Sequence, residues 1–426
     1  MKTPLVILLS LNLLSHAHAE SWPAWRGDLA GSGTTAQKNL PTQWDKKSNI
    51  KWRVELPNRG NSTPVTWENK IFVTQVVEAD DFRSLMCFDL KTGEKLWQNG
   101  VTYSKKESTH RTNPYCSASP VTDGERVIAT FGSAGVFCYD LNGKQLWKQD
   151  LGPQEHTWGN ASSPLIYKDL CVLYHGPGPH ARMVAMKKDS GDIVWDWKEP
   201  AWDCTGRTDG FKGKDNDGII GSFSTPILVN TGKRDELIMT FPLEIRSFAP
   251  TSGEILWTSK GLNPLVYTSP IYSDGIVVAM GGYYGNSMGI KVGSDEKGDI
   301  TESSRLWHEV RSKGGIGTGV AHKGHIYFLT SGGIGSCIDM KTGKEMWEER
   351  LSGGTRGSAS WSSFLLSGDR IYSVHQSGQV VVFKASPEFQ RLAVNEVGEQ
   401  TNSSLVPANG KLLLRTHEAL WCIGAN

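Results

Sequence analysis

The chain has 426 residues, with 45 basic and 44 acidic side chains and a formal net charge of +1. That balance excludes a protein that works by bulk charge against nucleic acid or an anionic membrane surface. Its 47 glycines and 16 tryptophans suit an all-β chain with many tight turns and large packing residues.

In chain order, the first segment is "MKTPLVILLSLNLLSHAHA", with Lys2, an apolar run from Leu5 to Leu14 and the small-x-small end Ala17-His18-Ala19. This is the pattern of a secretory signal peptide, residues 1–19, cleaved after Ala19. The run falls short of the ~20 apolar residues needed to span a bilayer. No cysteine follows the cleavage site, so the chain is not expected to be a lipoprotein. No later transmembrane segment is evident, and the mature chain is expected to be periplasmic or secreted, and a monomer. Residues 20–48 read as an N-terminal extension, and 49–426 as one domain.

That domain is written in repeats. "LMCFDLKTGEKLW" at 85–97 returns as "GVFCYDLNGKQLW" at 135–147 and as "GSCIDMKTGKEMW" at 335–347. Fuller modules run Ser62–Trp97, Ser117–Trp147, Ser162–Trp195, Ser224–Trp257, Thr268–Trp307 and Thr318–Trp347. A seventh begins at Ser358 and lacks the final Trp; an eighth begins at Asn402. Five of the eight open on a Ser- or Thr-containing step before Pro, as at Ser62-Thr63-Pro64, where Pro is tolerated as the first residue of a strand. A turn such as Asp123-Gly124 or Asp274-Gly275 then leads into an apolar β-branched run. The tight turn Lys91-Thr92-Gly93-Glu94 and its copies precede a last strand carrying Trp. Four short strands per ~40–50 residues predict an eight-bladed β-propeller of four-stranded antiparallel blades. The last module is one strand short, and "NIKWRVELP" at 49–57 supplies a spare strand with Trp52 at the Trp position. The N-terminal strand should therefore close the ring and remove an open edge. Trp52, Trp97, Trp147, Trp195, Trp257, Trp307 and Trp347 are expected to wedge between adjacent blades.

Cys87, Cys138, Cys337 and Cys422 share one register, filled by Ala185 and Ser247 in other copies. They read as small packing residues rather than as disulfide partners. Cys116 and Cys204 lie in connecting loops, and a bridge between them stays open.

The Ser-x-Pro start, the D-x-x-T-G-x-x-x-W end and the eight copies resemble the pyrroloquinoline-quinone-type (PQQ-like) β-propeller repeat proteins. "WPAWRG" at Trp22–Gly27, "GDITESSRLW" and the ending "ALWCIG" look like an exported bacterial subgroup of that family. The repeat is also similar to that of the propeller lipoprotein of the outer-membrane β-barrel assembly machine. For the dehydrogenases of the family, the resemblance implies Ca²⁺ held by carboxylate and amide oxygens, an Asp base and a vicinal disulfide over PQQ. This sequence has no Cys-Cys pair and no C-x-x-C-H haem attachment motif.

Chemistry is expected on one face. The segments before each Ser-x-Pro step should gather near the central channel, bringing Arg59, His110, Arg111, His156, Trp158, Asn160, Tyr267, Arg311 and Arg356 toward one ligand site. Such a mix suits a protein partner or a small anionic ligand; the same residues also serve as solvated caps of strand ends. "DNDG" at Asp215–Gly218 resembles the start of a Ca²⁺ loop but lacks the spacing and the final Glu, and reads as an exposed turn. His175 and His180 flank "GPGP" without a third metal ligand. No metal site and no catalytic residue is assigned. The reading is a binding or scaffold module with its ligand on the loop face. The alternative is a quinoprotein oxidoreductase, a PQQ-dependent alcohol or sugar dehydrogenase with Ca²⁺.

Overall fold

A computed structural model of the chain describes residues 21–207, 209, 219–282, 285–293, 295–311, 314–330, 332–351 and 360–424. The expected signal peptide, the "DNDG" stretch at 215–218 and Arg356 lie outside them. Among the described residues no helix is long and apolar enough to cross a membrane.

The strands form an all-β, eight-bladed propeller of small antiparallel sheets. Blade 1 is typical: Val65–Trp67, Lys70–Val77, Phe82–Asp89 and Lys95–Thr102 run antiparallel from the channel outward. Blade 8 is completed from the other end of the chain. Ile50–Glu55 pairs antiparallel with Ala419–Ile423, setting Trp52 opposite Cys422. Two blades carry a fifth strand. Thr34–Thr35 joins blade 7 in parallel along its innermost strand, and Gly298–Asp299 joins blade 4 in parallel along its outermost.

The recurring phrase is the joint between blades. In blade 1 the Asp89 carboxylate accepts the backbone N–H groups of Lys91 and Thr92, both at 2.8 Å, and the chain turns at Gly93 with φ +77°. The Trp of the preceding blade lies on that glycine: a Cβ on Gly93 would stand 2.8 Å from the Trp52 ring. The indole N–H of Trp52 donates to the Leu90 carbonyl at 3.2 Å. Trp97 repeats this on Gly143 and Leu141, Trp147 on Gly191 and Lys188, Trp195 on Gly253 and Pro250, and Trp307 on Gly343 and Met340. Trp347 makes the same donation to the Ser386 carbonyl. Gly is required twice, by the positive φ and by the ring pressed against it.

Across the sheet, each of these tryptophans stands opposite a small residue. The pairs are Cys87–Trp97, Cys138–Trp147, Ala185–Trp195, Ser247–Trp257, Gly289–Trp307 and Cys337–Trp347, and the register slips just beyond each. All seven cysteines are buried thiols, and no disulfide joins Cys116 to Cys204. Burial pushes the Cys87 and Cys138 thiols up to about 12, so they act as small apolar fillers.

Trp257 departs from the shared environment. The following blade has no Asp-x-x-Thr-Gly turn to receive it. It is fully buried, and its N–H donates at 2.6 Å to Glu236, which also accepts from the Ser247 hydroxyl and from Arg234 Nε.

Residues 21–48 run across the channel against the inner strands of several blades. Trp22 pairs with Thr66 of blade 1, the Pro23 carbonyl accepts the Thr122 N–H of blade 2, and the Leu29 carbonyl accepts the Leu228 N–H of blade 4. Arg26 is the bolt. Only 3% exposed, it donates to the carbonyls of Gly31, Ser32, Thr318 and Gly319. Burial lowers its pKa to about 10, which leaves it charged at neutral pH, and the converging carbonyl dipoles replace the water it has lost. The segment leaves between blades 7 and 8, where Asn395 clasps Trp44 N–H and the Thr42 carbonyl.

Candidate binding site at the mouth of the channel

The residue that opens each innermost strand is Ser or Thr, for a reason visible only in the closed ring. The Thr63 N–H donates to the Ser119 hydroxyl, Ser119 to Ser163, Ser163 to Thr225 and Thr225 to Ser269. Ser269 donates to Thr318, Thr318 to Ser363, Ser363 to Ser404, and Ser404 back to Thr63. Every link lies between 2.9 and 3.2 Å, and together they form a closed belt, one hydroxyl per blade. The Pro that follows in five blades has no N–H to satisfy, so the belt hydroxyl serves the neighbouring blade.

On the loop side of this belt is a cavity of about 290 Å³. Trp25, carried on the N-terminal segment next to Arg26, closes it from the channel side. Trp158, Phe223, Tyr267 and Trp361 wall it, with His110 and the amides of Asn61, Asn113 and Asn402 between them. Three of the rings form one nearly parallel series: Trp158 and Tyr267 lie 6.4 Å apart at 16°, and Tyr267 and Phe223 lie 5.7 Å apart at 14°.

Main-chain bonds set these rings. Gly221–Ser222 pairs in parallel with Leu265–Val266, and the Phe223 N–H donates to the Val266 carbonyl, which brings Phe223 beside Tyr267. Asn113 Nδ2 donates to the carbonyls of Trp158 and Asn160, at 2.7 and 3.1 Å. Asn61 and Asn402, from opposite ends of the chain, both donate to the Thr112 carbonyl.

His156 buttresses the wall from behind. Its ring stands edge-on to Trp158 and Phe223; Nδ1 accepts the Trp158 N–H at 3.1 Å, and Nε2 faces the Ile220 carbonyl at 3.2 Å. That pair of contacts suits the neutral ring with its proton on Nε2. Loss of water on burial lowers its pKa to about 4.

Of the residues expected at the site, His110, Trp158 and Tyr267 line the cavity. His156 and Asn160 stand behind it. Arg59, Arg111 and Arg311 are exposed and are not among the lining residues. Trp25, Phe223 and Trp361 enter the site unannounced by the repeat. Of these, only Trp25 falls within a stretch singled out by its sequence, "WPAWRG".

Among the described residues no carboxylate, ammonium or guanidinium lines the cavity. No group of three His, Cys, Asp or Glu positioned to hold a metal is found among them. A carboxylate-bearing quinone with Ca²⁺ would require both cations and acidic oxygen donors here, so the described lining does not fit that cofactor.

The family model described as outer membrane protein assembly factor BamB matches residues 30–200, 84–260 and 244–425. BamB from Moraxella catarrhalis superposes with a TM-score of 0.59 at 12% identity, covering 88% of this chain and 99% of that one. A europium-containing methanol dehydrogenase gives 0.66 at 11% identity, covering 92% and 89%. The quinohemoprotein alcohol dehydrogenase from Comamonas testosteroni gives 0.66 at 12%, covering 96% and 81%. At such identities the likeness shows the fold alone. No curated protein matches the chain. Because the matched stretches together run nearly the length of the described propeller, the chain belongs to the PQQ-like β-propeller family described as outer membrane protein assembly factor BamB.

Proposed function

We propose that this chain is an exported binding module that receives its ligand or partner at the mouth of the propeller channel. The observation that carries the reading is the cavity over the hydroxyl belt: five aromatic side chains and three amides converge on it, with no carboxylate, ammonium or guanidinium among its described lining. A concave, largely apolar pocket with a few convergent polar groups is the usual form of a small-ligand site. The family description, an assembly factor, supports binding over turnover. The leader-like residues 1–19 support export, and the near-neutral charge gives no reason for nucleic-acid binding.

The quinoprotein reading draws on the fold likeness to alcohol dehydrogenases. One experiment separates the two readings. The mature chain is incubated with PQQ and Ca²⁺, dialysed, and examined by absorbance and by dye-linked alcohol oxidation. The binding-module reading expects no retained quinone and no turnover. A stoichiometric bound quinone with alcohol-dependent dye reduction would overturn it.

A further inference from the structure

We propose that the mouth cavity receives one neutral sugar ring of a carbohydrate; this rests on the binding-module reading and names its ligand class. The inference joins two observations, the aromatic wall with no described carboxylate, ammonium or guanidinium and the state of the belt hydroxyls. Seven of the eight belt hydroxyls line the cavity: Thr63, Ser119, Ser163, Thr225, Thr318, Ser363 and Ser404. Each already accepts a backbone N–H from its neighbour. None of them donates its own proton to a protein acceptor among the described residues. The belt therefore offers the cavity seven hydroxyls whose O–H protons are not committed to a described protein acceptor.

Four ligand classes can be compared with this arrangement. An anion would leave water for a pocket whose described walls hold no cation to pair with it, which is costly. A cation is attracted by aromatic faces, but no described carboxylate lines the cavity to pair with it. A purely apolar ligand would cover the belt hydroxyls and leave them without water or a partner. A pyranose suits both surfaces. Its C–H face lies against the Trp158–Tyr267–Phe223 series or on Trp25, and its ring and hydroxyl oxygens accept from the belt hydroxyls. The amide of Asn113 is held by its bonds to the Trp158 and Asn160 carbonyls, and that of Asn402 by donating to the Thr112 carbonyl and accepting from Gln376 Nε2, so their orientation is set before any ligand arrives. The volume, about 290 Å³, lies at the small end for ligand sites and suits one ring rather than an enclosed chain, so longer glycans would extend into solvent.

The test is calorimetric titration of the mature chain with neutral mono- and oligosaccharides (glucose, galactose, mannose and N-acetylglucosamine series). Indole, choline and PQQ with Ca²⁺ serve as the other probes. The expected result is binding of at least one neutral sugar, weakened tenfold or more by Trp158→Ala and by Trp25→Ala, and largely kept by Trp158→Phe. Circular dichroism confirms that each variant is folded; should Trp25→Ala unfold, Trp361→Ala takes its place. Sugar binding unchanged in the folded variants would overturn the site. Binding of indole or choline but of no sugar would overturn the ligand class and leave the binding-module reading standing. Retention of PQQ with Ca²⁺ would overturn both. Binding of none of the probes would overturn the sugar proposal.

Discussion

Trp147 offers the sharpest test of how the blades are joined. Its ring is 8% exposed, rests on Gly191 of the next blade and donates to the Lys188 carbonyl at 2.8 Å. A buried aromatic of this size removes roughly 150–250 Å² from water, worth about 4–6 kcal/mol at ~25 cal/mol per Å² as an upper bound. Truncations of this kind cost about 3–5 kcal/mol, so Trp147→Ala should cost about 4. Gly191→Ala should be destabilising for two separable reasons: φ is +79°, and the new Cβ would stand 2.7 Å from the indole. The left-handed conformation alone costs about 1–2 kcal/mol. The clash disappears once the ring is gone, so Gly191→Ala should cost less in the Trp147→Ala background than in the parent. Denaturant unfolding followed by far-UV circular dichroism, for the parent, both single variants and the double variant, measures this coupling. A coupling of about 1 kcal/mol or more is expected. Costs that add within about 0.5 kcal/mol, the behaviour of independent sites, would refute the stacked joint.

A chain beginning at Leu56 lacks the strand that pairs with Ala419–Ile423; it should aggregate or melt well below a chain beginning at Glu20, as light scattering and calorimetry would register. A chain beginning at Ser48 keeps that strand but loses the Arg26 bolt and Trp25, and should melt lower while retaining its β spectrum. Ser163→Ala removes the acceptor of the Ser119 N–H and leaves a buried donor unpaired, at a cost of about 1–3 kcal/mol in equilibrium unfolding. His175 is 1% exposed, and burial lowers its pKa to about 4, as it does that of His156. The unfolded chain binds these protons first, so their contribution is fully present above about pH 6.5 and is lost as the pH falls from there toward 4. Melting temperature should drop across that window, and His175→Phe should flatten the drop; an unchanged pH profile in that variant would remove His175 as a cause.

The period of the sequence was enough to determine the blades, the tryptophan register and the closure by residues 49–57. Each of those features is a local pattern copied from module to module: a strand start, a turn glycine, a Trp opposite Cys, Ala or Ser. The exception at Trp257 was hidden because its partner Glu236 has no counterpart in the repeat. The path of the N-terminal segment was hidden for a similar reason. Residues 21–48 have no period, and Arg26 reaches carbonyls 292 and 293 positions away, main-chain atoms that no side-chain pattern announces. At the site, position before a strand indicated the face on which a residue lies, and that was enough for His110, Trp158 and Tyr267. It could not tell which way a side chain points. Arg59, Arg111 and Arg311, charged and on mobile-length stems, are exposed to water, where desolvation costs them nothing. Neutral rings from Trp25, Phe223 and Trp361 line the enclosed space instead. Which residues face the axis is decided when the ring closes, because only then do eight separate hydroxyls become a belt and a distant N-terminal tryptophan close the cavity above the channel.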